Sequence, residues 1–376
     1  MDHLALLAGD PETFVQEVWG RRTLFHDADP ATLAGIFGID HADALITTHA
    51  LRTPQVRLAQ DGQVVDQARY TRKATIAGQP MTGLLDARKT LALFDGGATI
   101  IFQGLQRYHE PLRQLVRDLE RQIGHPCQAN AYLTPPGSQG FALHSDTHDV
   151  FTFQTYGSKE WEVHDADGVH AIHMRPGTCM YLPTGTPHMA RTGAGEASLH
   201  VTVGINQVTW RDALRDIVNR ALDADDTQAG HMPAARFADP EALAAELQGR
   251  LAYLATHLHA VDATTEVDRL QTAFETQRQP LLAGGLRDVL DAPDLDDATE
   301  LRRRPGGQAV RRDHDDEIEL LLGDRRLTLP ARIADALAFV LDADTFTPAD
   351  VPVLDAAGSL VLCRRLVREG LLEVVR

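Results

Sequence analysis

The residues best suited to chemistry sit close together in the middle of the chain. Seven of the 17 histidines fall between positions 144 and 200: His144, His148, His164, His170, His173, His188 and His200. His144-Ser145-Asp146 puts an imidazole and a carboxylate at positions i and i+2, which face the same way in an extended strand. Later in the chain, His188 follows a turn proline in Thr186-Pro187-His188 and is placed to return on another strand. Two imidazoles and one carboxylate make a facial set that holds Fe(II) on one side and leaves positions open on the other. A closed structural zinc site needs four ligands, usually with cysteines, and none lies near. His148 continues the same alternation. It can be a fourth ligand, a group supporting the ligands, or a solvated turn histidine. His164, His170 and His173 flank HDADGVHAIH, which reads as a surface loop.

Positioning such a set requires strands, and residues 126–206 supply them. The runs CQANAYLT, DVFTFQTYG, KEWEVH, RPGTCMYLPTGTPHMAR and ASLHVTVGIN are β-prone and short. Pro135-Pro136-Gly137, Gly157-Ser158, Pro176-Gly177 and Thr184-Gly185-Thr186-Pro187 separate them. Short strands punctuated this regularly predict an antiparallel sandwich or barrel. Upstream, residues 1–50 read as short helices, with Asp10-Pro11 as a cap followed by proline at the first helical position. Two further helices, at roughly 84–94 and 110–123, flank the apolar run Ala98–Phe102, which suits a buried strand.

Beyond Trp210 the strand signal stops. Residues 211–223 are amphipathic, and Asp239-Pro240 caps a longer helix. Leu243, Leu247, Leu251, Leu254 and Leu258 form one apolar stripe along it. That stripe packs either within its own chain or against a second copy. Residues 286–316 are charge-rich, contain Pro305-Gly306-Gly307 and read as a linker. The last stretch predicts a hairpin around Gly323-Asp324, a helix after Pro330, a short one from Thr347-Pro348, a longer one stopped by Gly370, and a closing strand in LLEVV. Helices beside a small hairpin resemble a winged-helix module.

The chain has 376 residues, 43% hydrophobic and 24% charged, which is globular in character and long enough for two or three domains. Its net charge is −17, from 36 basic and 53 acidic residues. The excess is spread as −6 over 1–210, −5 over 211–290 and −6 over 291–376. A protein that grips nucleic acid normally carries a basic patch, so this balance argues against that class, above all for the last segment. Apolar stretches fall short of a membrane span. The start, MDHLALLAGDPETF, lacks the basic region of a signal peptide. Cys127, Cys179 and Cys363 are scattered and form no CxxC pair. A reducing, cytoplasmic location is therefore expected.

The stretch NAYLTPPGSQGFALHSDTHDVFTFQTYGSKEWEVH, followed by RPGTCMYLPTGTPHMA and SLHVTVGI, resembles the JmjC-type cupin oxygenases of the ribosomal oxygenase group. The resemblance is densest over about 130–206. It implies an α+β chain with a double-stranded β-helix core and a helical N-terminal lead-in within residues 1–207. It further implies a helical dimerisation segment over 208–290 and a C-terminal winged-helix module over 291–376. The implied cofactors are Fe(II), 2-oxoglutarate as cosubstrate, and O2. The HxD…H metal ligands of the group fall on His144, Asp146 and His188. The basic residue that meets the far carboxylate of 2-oxoglutarate falls on Lys159, where other members carry Arg. An upstream Asn and Tyr match Asn130 and Tyr132. A later hydroxyl able to touch the cosubstrate corresponds to Thr202, with His200 nearby.

The activity so implied is hydroxylation of a peptidyl side chain, in a ribosomal protein or a ribosomally made precursor peptide. A histidyl side chain, at its β-carbon, comes first because Lys159 matches the histidyl rather than the bacterial arginyl type. The expected partners are a protein or peptide substrate and a second copy of the chain through 208–290, with no membrane and no nucleic acid. The alternative from a different class is a cupin without oxygenase activity that senses a ligand and regulates DNA through the winged helix.

Overall fold

The computed structural model describes residues 1–138, 142–193 and 195–376. Contacts divide them into two compact units, Met1–Gln207 and Val208–Arg376.

The strands of the first unit are, in chain order, β1 (Leu24–Asp27), β2 (Val56–Gln60), β3 (Gln63–Val64), β4 (Thr71–Ile76), β5 (Gln79–Leu85), β6 (Thr99–Phe102) and β7 (Cys127–Thr134). They continue with β8 (Asp149–Tyr156), β9 (Lys159–Asp165), β10 (Gly168–Met174), β11 (Thr178–Leu182), β12 (His188–Arg191) and β13 (Ser198–Ile205). Among the described residues, eight of these pair in the order β1-β11-β8-β13-β7-β6-β2-β3. Three more pair as β10-β9-β12, and β4 and β5 form a separate hairpin.

The sequence pattern explains the two faces of the large sheet. On β7, Cys127, Ala129 and Ala131 alternate onto the outer face, where they join Leu112, Leu115 and Leu119 of the Glu110–Ile123 helix in one core. Tyr132 and Thr134, on the opposite parity, line the interior. β8 is buried along almost its whole length, as a strand covered on both faces must be. Its Phe151 and Phe153 face the helices with Phe14 and Tyr181. Its Val150 packs inward with Trp161, Val163, Met174 and Met180. The helices His3–Ala8, Pro30–Phe37 and Ile39–Thr47 bury Leu7, Leu33, Phe37 and Leu45 in the outer core. Asp2 and Asp29 cap two of them by accepting main-chain N–H bonds from Ala5 and Thr32.

Two readings of this unit need correction. β1 interrupts the helices of the first 50 residues. The supposed loop around His164, His170 and His173 is the β9–β10 hairpin, with His170 opposite Val163. The three imidazoles pair on its surface with Glu162, Asp165 and Glu160 at 2.6–2.8 Å.

In the second unit the helices are Trp210–Asp223, Pro240–His259, Ala263–Thr276, Gly285–Asp291, Ala334–Asp342 and Ala356–Arg368. One three-stranded sheet places Leu301–Arg303 between Thr345–Phe346 and Leu372–Val374. Another places Glu317–Leu321 between Val310–Asp313 and Arg326–Pro330. Their core contains Leu301, Ile318, Leu320, Leu337, Val340, Leu362 and Leu366. Residues 286–316 are therefore no linker, since they supply most of a helix and two strands. The buried Arg304 guanidinium anchors this stretch by bonding the buried Asp288 carboxylate and the Gly370 and Leu372 carbonyls. Arg312 bonds the Asp268 carboxylate at 3.0 Å, which ties the last strands to the Ala263–Thr276 helix. The Pro240–His259 helix is capped by Asp239, as its sequence predicts, yet buries no residue in this chain. Leu247, Leu251 and Leu258 of the stripe are exposed.

Candidate metal centre and cosubstrate pocket

His188 opens β12, and its main chain forms an isolated antiparallel bridge with His144. The His144 N–H donates to the His188 carbonyl at 3.1 Å, and the His188 N–H donates back at 2.7 Å. This adds a fourth, one-residue strand to the small sheet. The turn before His188 is fixed from both sides. The buried Asp149 carboxylate accepts the Thr184 N–H and hydroxyl, each at 2.7 Å. The Gly185 N–H donates to the Asp146 carbonyl at 3.0 Å.

These contacts bring His144, Asp146 and His188 together, with candidate ligand atoms within 4.8 Å of one another. His188 Nε2 lies 3.8 Å from Asp146 Oδ2. Nδ1 of His144 meets the Ala142 carbonyl at 2.9 Å, and Nδ1 of His188 meets the Thr186 carbonyl at 3.0 Å. A carbonyl only accepts, so each Nδ1 carries the proton and Nε2 is left as the ligand atom. Burial also pushes the His188 imidazole below its usual pKa, which favours the neutral, ligating form. Two neutral nitrogens and one carboxylate suit a divalent cation with open positions rather than a closed four-ligand site. His148 is not part of the cluster among the described residues. Its ring packs on Gly204, where an added Cβ would come within 2.5 Å of Nε2.

A cavity of about 280 Å³ adjoins the triad. At one end Lys159, 3% exposed, donates to Thr134 Oγ1 at 3.1 Å, and the Thr99 hydroxyl reaches the same atom at 3.2 Å. Among the described residues no carboxylate pairs with this ammonium, and burial pushes its pKa down to about 7. Tyr132 stacks on His200 with ring centroids 5.0 Å apart, and burial raises its hydroxyl pKa. His200 is held neutral by burial, with Lys159 and His188 adding to the effect. Trp161 stands edge-on to His200 and tilts over His188. Thr202 lines the cavity with its hydroxyl 3.4 Å from that of Thr152.

Of the residues expected here, Asn130 is the one placed differently. Its side-chain carbonyl accepts the Gly104 N–H at 3.0 Å, and the residue does not line the cavity. It braces β7 against the turn before the Glu110–Ile123 helix. Sequence reasoning missed Thr134, Thr99, Trp161 and Arg57 as lining residues. Thr134 and Trp161 share strand parity with Tyr132 and Lys159, so alternation alone would have found them. Arg57 and Thr99 come from strands whose pairing with β7 no local pattern reveals.

The two sheets thus present two histidines and an aspartate beside a buried lysine. Residues 105–171 match the JmjC domain family. The chain is 29% identical over 237 residues to human ribosomal oxygenase 1, covering 57% of this chain and 36% of that protein. It is 33% identical over 130 residues to the bifunctional lysine-specific demethylase and histidyl-hydroxylase NO66 of Branchiostoma floridae, covering 34% of this chain and 21% of that one. The chain thus spans well under half the length of these relatives. A structure of the Escherichia coli ribosomal oxygenase YcfD, in complex with cobalt and 2-oxoglutarate, superposes with a TM-score of 0.55 at 16% identity. It covers 98% of this chain and 99% of that one, a likeness of fold. The chain carries a JmjC-type cupin domain, and the proteins it resembles are the ribosomal oxygenases.

Proposed function

We propose that this protein is an Fe(II)- and 2-oxoglutarate-dependent dioxygenase that hydroxylates a peptidyl side chain in a ribosomal protein, a histidyl side chain first. The observation that carries this reading is the cavity itself. It has a three-ligand cluster at one side and, at the other, a buried lysine that bonds Thr134 but pairs with no carboxylate among the described residues. The metal and cosubstrate, when bound, would supply with dioxygen an oxidative decarboxylation to succinate and carbon dioxide, one oxygen atom entering succinate and the other hydroxylating a C–H bond. His144, Asp146 and His188 would hold the metal. Lys159, with the Thr134 hydroxyl, would take the far carboxylate through a charge-assisted bond. Tyr132 and Thr202 offer hydroxyls along the path, and Trp161 walls the pocket against water. The protein's part is ligation, orientation and exclusion of solvent. The NO66 relative, by its name a histidyl-hydroxylase, supports histidine over arginine.

Residues 208–290 are proposed to form a homodimer interface, because Leu247, Leu251 and Leu258 of the leucine stripe on the Pro240–His259 helix are exposed. Residues 291–376 are proposed to be a winged-helix-like module that binds protein, since 18 acidic and 12 basic residues repel phosphate. The test is incubation with Fe(II), 2-oxoglutarate and overlapping peptides tiled over the ribosomal proteins of the source organism. Succinate release with a +16 Da product is expected. No succinate with any peptide, or tight salt-sensitive binding to mixed-sequence DNA, would instead favour the ligand-sensing regulator. A monomer by light scattering at micromolar concentration would remove the dimer.

A further inference from the structure

Three buried polar atoms of the cavity lining lack a hydrogen-bond partner among the described residues: Trp161 Nε1, His200 Nδ1 and Arg57 Nε. Trp161 and His200 stand between the triad and Lys159, where the cosubstrate of the proposed reaction belongs. Arg57 stands elsewhere. In the register of the large sheet, Arg57 faces Ile101, Ile101 faces Tyr132 and Tyr132 faces His200. These four residues form one row across the barrel wall, with Arg57 at its outer end. At the usual strand spacing its Cα is roughly 10 Å from that of Tyr132 and roughly 14 Å from that of His200. The Thr99–Thr134 end of the pocket lies a further two residues along, level with Ala59.

The Arg57 Nε–H is buried with no acceptor among the described residues, and a buried donor left unbonded is unfavourable. No carboxylate among the described residues forms an ion pair with Arg57, although acidic residues outnumber basic ones in the chain. The guanidinium edge presents parallel N–H donors suited to an oxygen acceptor.

Resting on the hydroxylase reading above, we infer that Arg57 is a substrate-binding residue that anchors the peptide main chain. It holds a main-chain carbonyl oxygen of the peptide beside the side chain delivered to the triad. The cosubstrate is the other possible source of such an oxygen. It is already served by Lys159 and Thr134, on the far side of Tyr132. Every peptide carries main-chain carbonyls, so the contact fits a basic ribosomal segment that lacks carboxylates.

The test uses the full chain loaded with Mn(II) and 2-oxoglutarate, and fluorescently labelled peptides tiled over the ribosomal proteins. Binding is read by anisotropy, without turnover. Arg57→Met should weaken binding of the best peptide by about tenfold or more, the worth of one bond to a charged donor. Mn(II) and 2-oxoglutarate affinities should stay unchanged, which also shows that the variant folds. Arg57→Lys should recover part of the loss. Unchanged peptide binding in Arg57→Met overturns the contact alone, and so does a loss that falls on 2-oxoglutarate. A wild-type chain that binds 2-oxoglutarate but no peptide refutes the peptide reading and this contact with it.

Discussion

His144 and His188 exchange both of their main-chain hydrogen bonds, so each ligand is held in place by the backbone of the other. Their ring centroids lie 4.5 Å apart. The bridge and the carbonyls of Ala142 and Thr186 orient both imidazoles. The bridge is made by the main chain, so a change of side chain leaves it intact.

His188→Ala and Asp146→Ala should therefore abolish metal binding while the fold persists. Losing a partner behind a ligand weakens metal affinity by roughly 10- to 100-fold, so losing a ligand should exceed that. Titration of Mn(II) followed by electron paramagnetic resonance checks it, with circular dichroism as the fold control. His148→Ala should bind the metal normally, because its ring lies on Gly204. Wild-type affinity in either triad variant would refute the assignment.

Lys159 gives the pocket a pH dependence. Its pKa of about 7 in the buried pocket rises when a carboxylate arrives, so binding takes up a proton wherever the lysine starts neutral. The affinity for 2-oxoglutarate should fall as pH rises above about 7, by up to about tenfold per unit. Calorimetric titration across pH 6–9, roughly the range in which this lysine changes charge, should show this trend, and buffers of different ionisation enthalpy should reveal the proton uptake. In Lys159→Met the affinity should be low and flat with pH. An equally steep slope in that variant would assign the proton to another group.

The chemistry was legible in the sequence where local pattern suffices. His-x-Asp, a later histidine after a turn, and β7 to β9 are short-range facts, although the expected strand under His144 and Asp146 is only a single bridge at His144. Their ranges over Cys127–Thr134 and Lys159–Asp165 follow from alternation and turn residues. What escaped depends on long-range pairing. Arg57 reaches the cavity only because β2 pairs with β6, which pairs with β7. Asn130 has the right parity, but the Gly104 amide takes its carbonyl, a contact no spacing encodes. The mistaken linker over 286–316 had the composition of one. Its order comes from Arg304 buried against Asp288 and from strand partners far along the chain.

Gly157 joins β8 to β9 two residues before Lys159. Its φ is +57°, and an added Cβ would lie 1.7 Å from the Ala197 carbonyl oxygen, a main-chain atom that cannot swing aside. Gly157→Ala should destabilise the protein by more than about 3 kcal/mol, combining left-handed strain with backbone displacement. Gly124 also has a positive φ, at the end of the Glu110–Ile123 helix, but no atom lies within 4 Å of its Cβ position. Gly124→Ala should cost only about 1 kcal/mol. Thermal melts of the two variants should separate clearly, and equal losses would mean that the β8–β9 turn gives way.

Lys159 also burdens the fold that carries it. Burial lowers its pKa from 10.5 to about 7. Between those values the unfolded chain holds a proton that the folded chain releases, so stability rises with pH through the window. At pH 7 the penalty is on the order of 4 kcal/mol, and it shrinks towards zero near the upper limit. Methionine fills much the same volume without a charge. It loses only the bond to Thr134, a contribution of about 1 kcal/mol. Lys159→Met should therefore melt higher than wild type at pH 7 when no cosubstrate is present, with the gap closing as the pH approaches 10, near the top of that window. Adding 2-oxoglutarate should raise the melting temperature of the wild type and leave the variant where it was. A variant less stable than wild type at pH 7 would show that the lysine is a structural member of the barrel, and the unpaired charge would no longer mark a place for an anion.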